Sequence, residues 1–226
     1  MACHLHSVCG RYTLMFDSEF FRRFVIQSQK SEISPRYNIA PTQEVPIIVD
    51  EEGNRVVMMR FGLIPSWSKE KKTRYSLINA RAETVAKKPM FHRLLGKHRC
   101  LIPTTGFYEW KKVGSHKSPY FIRLKDEKYF SLAGLWDHWK DPKGEEVRSF
   151  TIITTKANRA LSEIHPRMPV ILRKEDEGLW LSGKILTDKE LEGLFRSFPS
   201  GLMASYPVSS SVNSVKNDRK ELVAPA

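Results

Sequence analysis

The chain has 226 residues, 41% of them hydrophobic, enough for a sizeable core, and nothing in it reads as a flexible linker. Its 37 Lys and Arg against 25 Asp and Glu give a formal charge of +12, which favours polyanionic partners through long-range attraction and counterion release. Three cysteines without CxxC spacing argue against a disulfide framework or a zinc ribbon, and no apolar run approaches the ~20 residues of a membrane-crossing helix.

A solvated basic surface would show the same charge balance, so composition alone does not decide for nucleic acid. Residues 1–8 lack the charged and apolar regions of a secretory signal, and the expected setting is the cytoplasm, at the nucleoid if DNA is the partner.

In chain order, Phe16, Phe20 and Phe24 recur every fourth residue, with Asp17 or Ser18 as N-cap, which predicts an amphipathic helix ending near Lys30 whose aromatic stripe faces the core. Prolines keep residues 34–41 extended, and residues 45–49 and 55–61 form a hairpin across Glu51-Glu52-Gly53-Asn54. The irregular stretch Gly62-Leu63-Ile64-Pro65-Ser66-Trp67, followed by Lys69, Lys71, Lys72 and Arg74, mixes aromatic and cationic groups. That mixture suits single-stranded nucleic acid, because bases stack on rings while phosphates meet cations, although a partly buried core Trp67 would read alike.

A short helix is predicted over 82–88, then a basic cluster from Arg93 to Arg99 and an apolar run at Cys100-Leu101-Ile102. Strands follow over 106–111, 120–124, 129–136 and 150–155, rich in aromatic and β-branched residues. A helix over 157–164 delivers His165 at its end, 169–172 is a strand, and 174–181 and 188–195 are helices. The polar tail from Ser209 is expected to be mobile at its end. These elements predict a mixed α+β fold with strands in the majority. Cys100, Trp110, Trp136, Trp139 and Trp180 read as structural. No Gly-rich phosphate loop, HExxH or paired-carboxylate motif occurs.

Four motifs stand apart: Cys9-Gly10-Arg11-Tyr12, Asn79-Ala80-Arg81-Ala82-Glu83, Gly106-Phe107-Tyr108-Glu109-Trp110 and His165-Pro166-Arg167-Met168-Pro169. Taken singly, Asn79 could make a turn, Glu109 could point outward from an edge strand and His165 could cap its helix. Together the motifs resemble the SRAP family (SOS-response-associated peptidase, or abasic-site processing proteins), and the resemblance runs over nearly the whole chain from Cys9 onward. It implies one β-rich domain over 9–226, of mixed or antiparallel sheets with flanking short helices and a basic groove over the active site. It also implies single-stranded DNA carrying abasic sites as partner; no cofactor and no membrane partner are expected, and the sequence leaves the oligomeric state open, with a monomer as the default. Cys9 matches the crosslinking nucleophile, Asn79 the amide that orients it, and Glu109 and His165 the acid-base pair. The DNA-binding positions implied are Arg11, Asn38, Pro41, Trp67, Arg81, Arg167 and Met168.

The chemistry is consistent with those residue types. An internal cysteine offers a thiol of pKa about 8.5, which a cation such as Arg11 or protonated His165 would shift toward thiolate. A terminal cysteine adds an α-amine of pKa about 7.7–8.0 that condenses with an aldehyde, after which the sulfur closes a thiazolidine ring. An abasic sugar exposes such an aldehyde. Proton transfers in these steps suit a carboxylate and an imidazole, Asn79 donates and accepts without adding charge, and arginines grip phosphate without reading sequence.

The family cysteine is the first residue of the mature protein, whereas eight residues precede Cys9 here. Three explanations are open: a start assigned too far upstream, with Val8 as the true initiator; a leader removed by the protein itself; or a leader retained, which blocks thiazolidine formation. A metal site at Cys3, His4, His6 and Cys9 has no second shell in sight. Two other functions stay in play, a single-strand binder without catalysis and a cysteine peptidase; a weak lyase activity would follow from the same imine chemistry.

Overall fold

The computed structural model describes residues 9–26, 33–71 and 77–226. The leader with Cys3, His4 and His6, the stretch of first helix expected toward Lys30, and the basic residues Lys72 and Arg74 lie outside the described residues.

The chain begins with β1 (Tyr12–Leu14) and α1 (Ser18–Phe24). Asp17 caps α1 by accepting the Glu19 N–H at 2.9 Å, and Phe20 and Phe24 are buried with their rings 5.1 Å apart. The helix is shorter than its apolar spacing suggests because Val25 turns left-handed, at φ 50°, and the Asn54 side chain donates to the Phe24 carbonyl at 2.7 Å. Next come β2 (Arg36–Ile39) and the expected hairpin of β3 (Glu44–Asp50) with β4 (Asn54–Phe61). The short β5 (Asn79–Arg81) leads into α2 (Ala82–Val85), which stops three residues before its expected end. The next helix, α3 (Pro89–Lys97), starts at Pro89; the sequence pattern predicts only a basic cluster from Arg93 to Arg99 there.

The strands β6 (Arg99–Thr104), β7 (Gly106–Val113), β8 (His116–Leu124), β9 (Phe130–Lys140) and β10 (Glu146–Lys156) are longer than their apolar centres. The helix before His165 is a single turn, α4 (Arg159–Ser162), capped by Asn158. The strand expected over 169–172 is split into β11 (Arg167–Pro169) and β12 (Ile171–Leu172). Between them Val170 donates to Ile153 and accepts from Ala133, so the chain passes from one neighbour to the next there. Helices α5 (Lys174–Leu181) and α6 (Asp188–Leu194) and strand β13 (Met203–Pro207) complete the set.

Two sheets form. One is antiparallel in the order β13-β8-β7-β1-β2. The other runs β10-β4-β3-β6-β9 and closes on itself through the β9–β10 pairing, which makes a small barrel; β11, β12 and β5 add to its rim. It is mixed, because β4 and β5 both run parallel to β10. Phe61 and Phe150 stack inside it at 5.1 Å, and Tyr12 meets Phe61 edge-on, joining the two sheets.

Alternation gives the five-stranded sheet two buried faces. Tyr12, Ile39, Phe107 and Ile122 face the barrel, while Tyr108 and Phe121 pack with Val208, Val212 and Leu222 of the C-terminal segment. The tail from Ser209 is therefore not loose. It is held by two buried apolar anchors, and by the Asn38 amide, which lies 3.1, 3.0 and 2.8 Å from the carbonyls of Val212, Ser214 and Asn217.

Candidate functional site

Cys9 sits just ahead of β1 with a left-handed φ of 50° and 1% exposure, in the core on the barrel side of the sheet. Its backbone N–H donates to Glu109 Oε1 at 2.7 Å. Glu109 follows Phe107 on the barrel side of β7 and is only 5% exposed. Burial pushes its carboxyl up to about 8, against the opposing pull of the Cys9 and Trp110 N–H groups and the charge of Lys117. The Cys9 thiol is also raised, first by burial and then by Glu109. That reverses the expected cationic activation: the sulfur is held as a thiol, because Arg11 points to the other face and a carboxyl is its neighbour.

The second half of the site is built around the end of β10. Arg81 and Pro169 pair with Thr154 from opposite sides, and Met168 and Arg167 pair with Thr155 and Lys156. On β5, Ala80 enters the core, which turns Asn79 and Arg81 to the other face. Asn79 Nδ2 is buried and has no hydrogen-bond partner among the described residues. A buried amide left unpaired costs free energy unless something else accepts from it. The His165 ring, half-buried, has Nδ1 3.1 Å from the Arg167 amide nitrogen and 3.2 Å from its carbonyl oxygen. The amide donates to the neutral ring and the protonated ring donates to the carbonyl, so both protonation states are accommodated. Burial lowers the imidazole value; the Arg167 carbonyl opposes this, while the charges of Lys117 and Arg167 add to it. Lys117 on β8 thus acts on both Glu109 and His165, and no motif singled it out.

The expected DNA contacts divide into two groups. Arg81 is exposed, Pro41 is half-buried, and Trp67 is 67% exposed. The Trp67 backbone is held from beneath: Ser66 N–H donates to buried Asp137 at 2.8 Å, and Trp139 Nε1 donates to the Ser68 carbonyl at 2.8 Å. Arg93 pairs with the same Asp137 carboxylate. Arg167 is gripped in bidentate fashion by Glu83, at 3.0 Å for both bonds, and also donates to the Thr154 carbonyl. The Arg167 bond in turn lowers the Glu83 carboxyl.

Three of the side chains expected at the DNA surface are buried. Arg11, 8% exposed, donates to Asn38 Oδ1 at 2.8 Å and to the carbonyls of Val212 and Asn213, so its guanidinium is spent inside the protein. Asn38 and Met168 are wholly buried. In the basic cluster before β6, Arg99 is also internal, donating to carbonyls at the ends of α3 and α5. Cys100 and Trp180 are core residues as expected.

The pattern for SOS response associated peptidase (SRAP) matches residues 8–215. The chain belongs to the SRAP family. Similar SRAP relatives are named abasic site processing proteins. YoqW of Bacillus subtilis (strain 168) is 42% identical over 221 residues, covering 96% of this chain and 99% of its own. HMCES of Rattus norvegicus is 31% identical over 267 residues, covering 100% of this chain and 75% of its own. A crystal structure of a protein from Bacteroides thetaiotaomicron shares the fold with a TM-score of 0.86 and 32% identity, over 96% of this chain and 100% of that one. The four motifs of this SRAP chain therefore form two groups, Cys9 with Glu109, and Asn79, Arg81, His165 and Arg167 around β10, with the charge of Lys117 acting on both Glu109 and His165.

Proposed function

We propose that this chain processes abasic sites in single-stranded DNA by linking to them through Cys9, shielding the strand. The contact of the Cys9 nitrogen with Glu109, 2.7 Å, carries the reading, and the names of the relatives support its substrate class. The active form begins at Cys9. Its α-amine attacks the ring-opened sugar aldehyde, forming a C–N bond, and water leaves as the imine forms. The sulfur then adds to the imine carbon, and the thiol proton passes to the nitrogen, closing the thiazolidine. Glu109, beside that nitrogen, takes and returns protons at the amine and the departing oxygen; His165 serves as its relay. Asn79 Nδ2 offers an unclaimed donor to the sugar, and Trp67, Pro41 and Arg81 hold the strand.

Self-processing is the reading of the leader that the geometry favours. The left-handed φ at Cys9 is costly for a residue other than glycine, by about 1–3 kcal/mol, and vanishes as a constraint when the bond to Val8 is cut. The thiol attacks the Val8 carbonyl, the nitrogen leaves with a proton supplied through Glu109, and water resolves the thioester. The new ammonium beside Glu109 then draws that carboxyl down into an ion pair.

The test is a denaturing gel of protein beginning at Cys9, incubated with single-stranded oligonucleotides with and without one abasic site. A shifted band with the lesion alone, lost in Cys9→Ala while binding persists, is expected. Binding without any shifted band leaves a non-catalytic binder.

A further inference from the structure

The ladder that aligns Cys9 with Glu109 is short. Strands β1 and β7 share two register pairs, Tyr12 with Phe107 and Thr13 with Gly106, extended by the Tyr108 N–H to the Arg11 carbonyl at 3.0 Å. The reacting pair lies beyond the end of that ladder. Its alignment needs another constraint, and the opposite face of the same strands supplies one.

Two residues after Cys9 and one after Glu109, a side chain turns to that opposite face and ends on the C-terminal segment. From the β1 side, Arg11 donates to the Val212 carbonyl at 2.9 Å and the Asn213 carbonyl at 3.2 Å. From β7, Trp110 Nε1 donates to Asn213 Oδ1 at 2.8 Å. Asn213 therefore accepts from the neighbours of both Cys9 and Glu109. The segment is fixed in turn: Val212 and Leu222 are buried against Tyr108 and Phe121, and Asn38 ties it to β2 while accepting from Arg11 at 2.8 Å.

We propose that residues 209–217 form a clamp that sets the Cys9–Glu109 contact, with Arg11 and Asn213 as its positioning residues. This rests on the reading that Cys9 and Glu109 perform the crosslinking. Arg11 then belongs to the alignment of the reacting pair and not to the strand-gripping surface.

The test uses the full chain from Cys9 with Arg11→Lys, Asn213→Ala and Asn213→Asp. Lysine keeps the charge but lacks the fork, and aspartate keeps the acceptor for Trp110. Measured are the crosslinking rate at saturating abasic oligonucleotide, its pH midpoint, and the salt dependence of binding to lesion-free single strand. Arg11→Lys is expected to slow the saturated rate about tenfold and Asn213→Ala about threefold, in line with several and one lost hydrogen bonds. Both lower the pH midpoint as water reaches Glu109, Asn213→Asp restores the rate, and lesion-free affinity and salt slope stay unchanged.

Weakened lesion-free binding with a shallower salt slope and an intact saturated rate in Arg11→Lys would make Arg11 a phosphate contact and overturn the clamp. Unchanged rate and midpoint in Asn213→Ala would overturn it too, and that variant decides if thermal melting shows Arg11→Lys unfolded. If the unsubstituted protein forms no crosslink, the proposed function fails by itself. The clamp is then read from the NMR titration of the Glu109 carboxyl, where unchanged values in both variants defeat it.

Discussion

The backbone nitrogen of Cys9 and the carboxyl of Glu109, a hundred positions apart in sequence, meet at 2.7 Å in a part of the core that holds the acid near neutral pKa. A carboxyl in that state both gives and takes a proton around pH 7, which an ordinary glutamate does poorly. It also ties stability to pH. The folded value, about 8, lies above the unfolded one, so between the two the native state holds a proton that the unfolded chain has released. In the chain whose Cys9 nitrogen is a backbone amide, stability is whole below about pH 4.3 and falls as pH rises toward 8, by a total of about 5 kcal/mol. Glu109→Gln should flatten the melting temperature across that window and slow crosslinking by about 10²–10⁴. A melting curve with the same pH slope in both proteins would remove Glu109 as its source.

Lys117 is expected to set the working pH. Its charge lowers both Glu109 and His165, so Lys117→Gln should raise both and move the pH profile of crosslinking to higher pH. Rates measured across pH 5–9 check the direction; a shift to lower pH contradicts it.

Asp137 supports Trp67 from below. In Asp137→Asn the Ser66 N–H keeps a carbonyl acceptor, but Arg93 loses its anionic partner, at a cost of roughly 1.5–3 kcal/mol. Under the proposed function, single-strand affinity should fall a few-fold while the crosslinking rate at saturation holds. Quenching of tryptophan fluorescence by DNA and a gel-based rate measure the two separately.

Gly106 has no room for a side chain. A Cβ there would lie 2.2 Å from Phe121 Cζ and 2.8 Å from the Ile122 carbonyl oxygen, and the second of these is backbone. Gly106→Ala should cost about 1–3 kcal/mol, visible as a lower melting temperature, because β7 and β8 must part to admit it.

Local pattern revealed what local physics determines. The Phe16, Phe20 and Phe24 stripe, the hairpin of β3 and β4, and α5 all follow from spacing and turn residues. Barrel closure does not, since β10 takes β4 and β5 as parallel neighbours from far upstream and nothing local encodes that pairing. Arg11 misleads for the same reason: two of its acceptors are main-chain carbonyls 201 and 202 positions away, which carry no sequence signal. The Cys9 thiol departs from its expected activation because burial, then the acid beside it, raise it, while the cation near it in sequence lies across the sheet.

Strands β4 and β5 join β10 almost end to end, Phe61 opposite Phe150 and Asn79 opposite Ile152. The chain between them leaves and re-enters the barrel at nearly one point, so whatever is spliced there leaves the cylinder's geometry untouched. Leu63 and Ile64 are buried and Ser66 is tied to Asp137, so only the part of the arm beyond those anchors is free to change length or composition, and under the proposed function its reach along a strand can diversify while Cys9 and Glu109 keep their places.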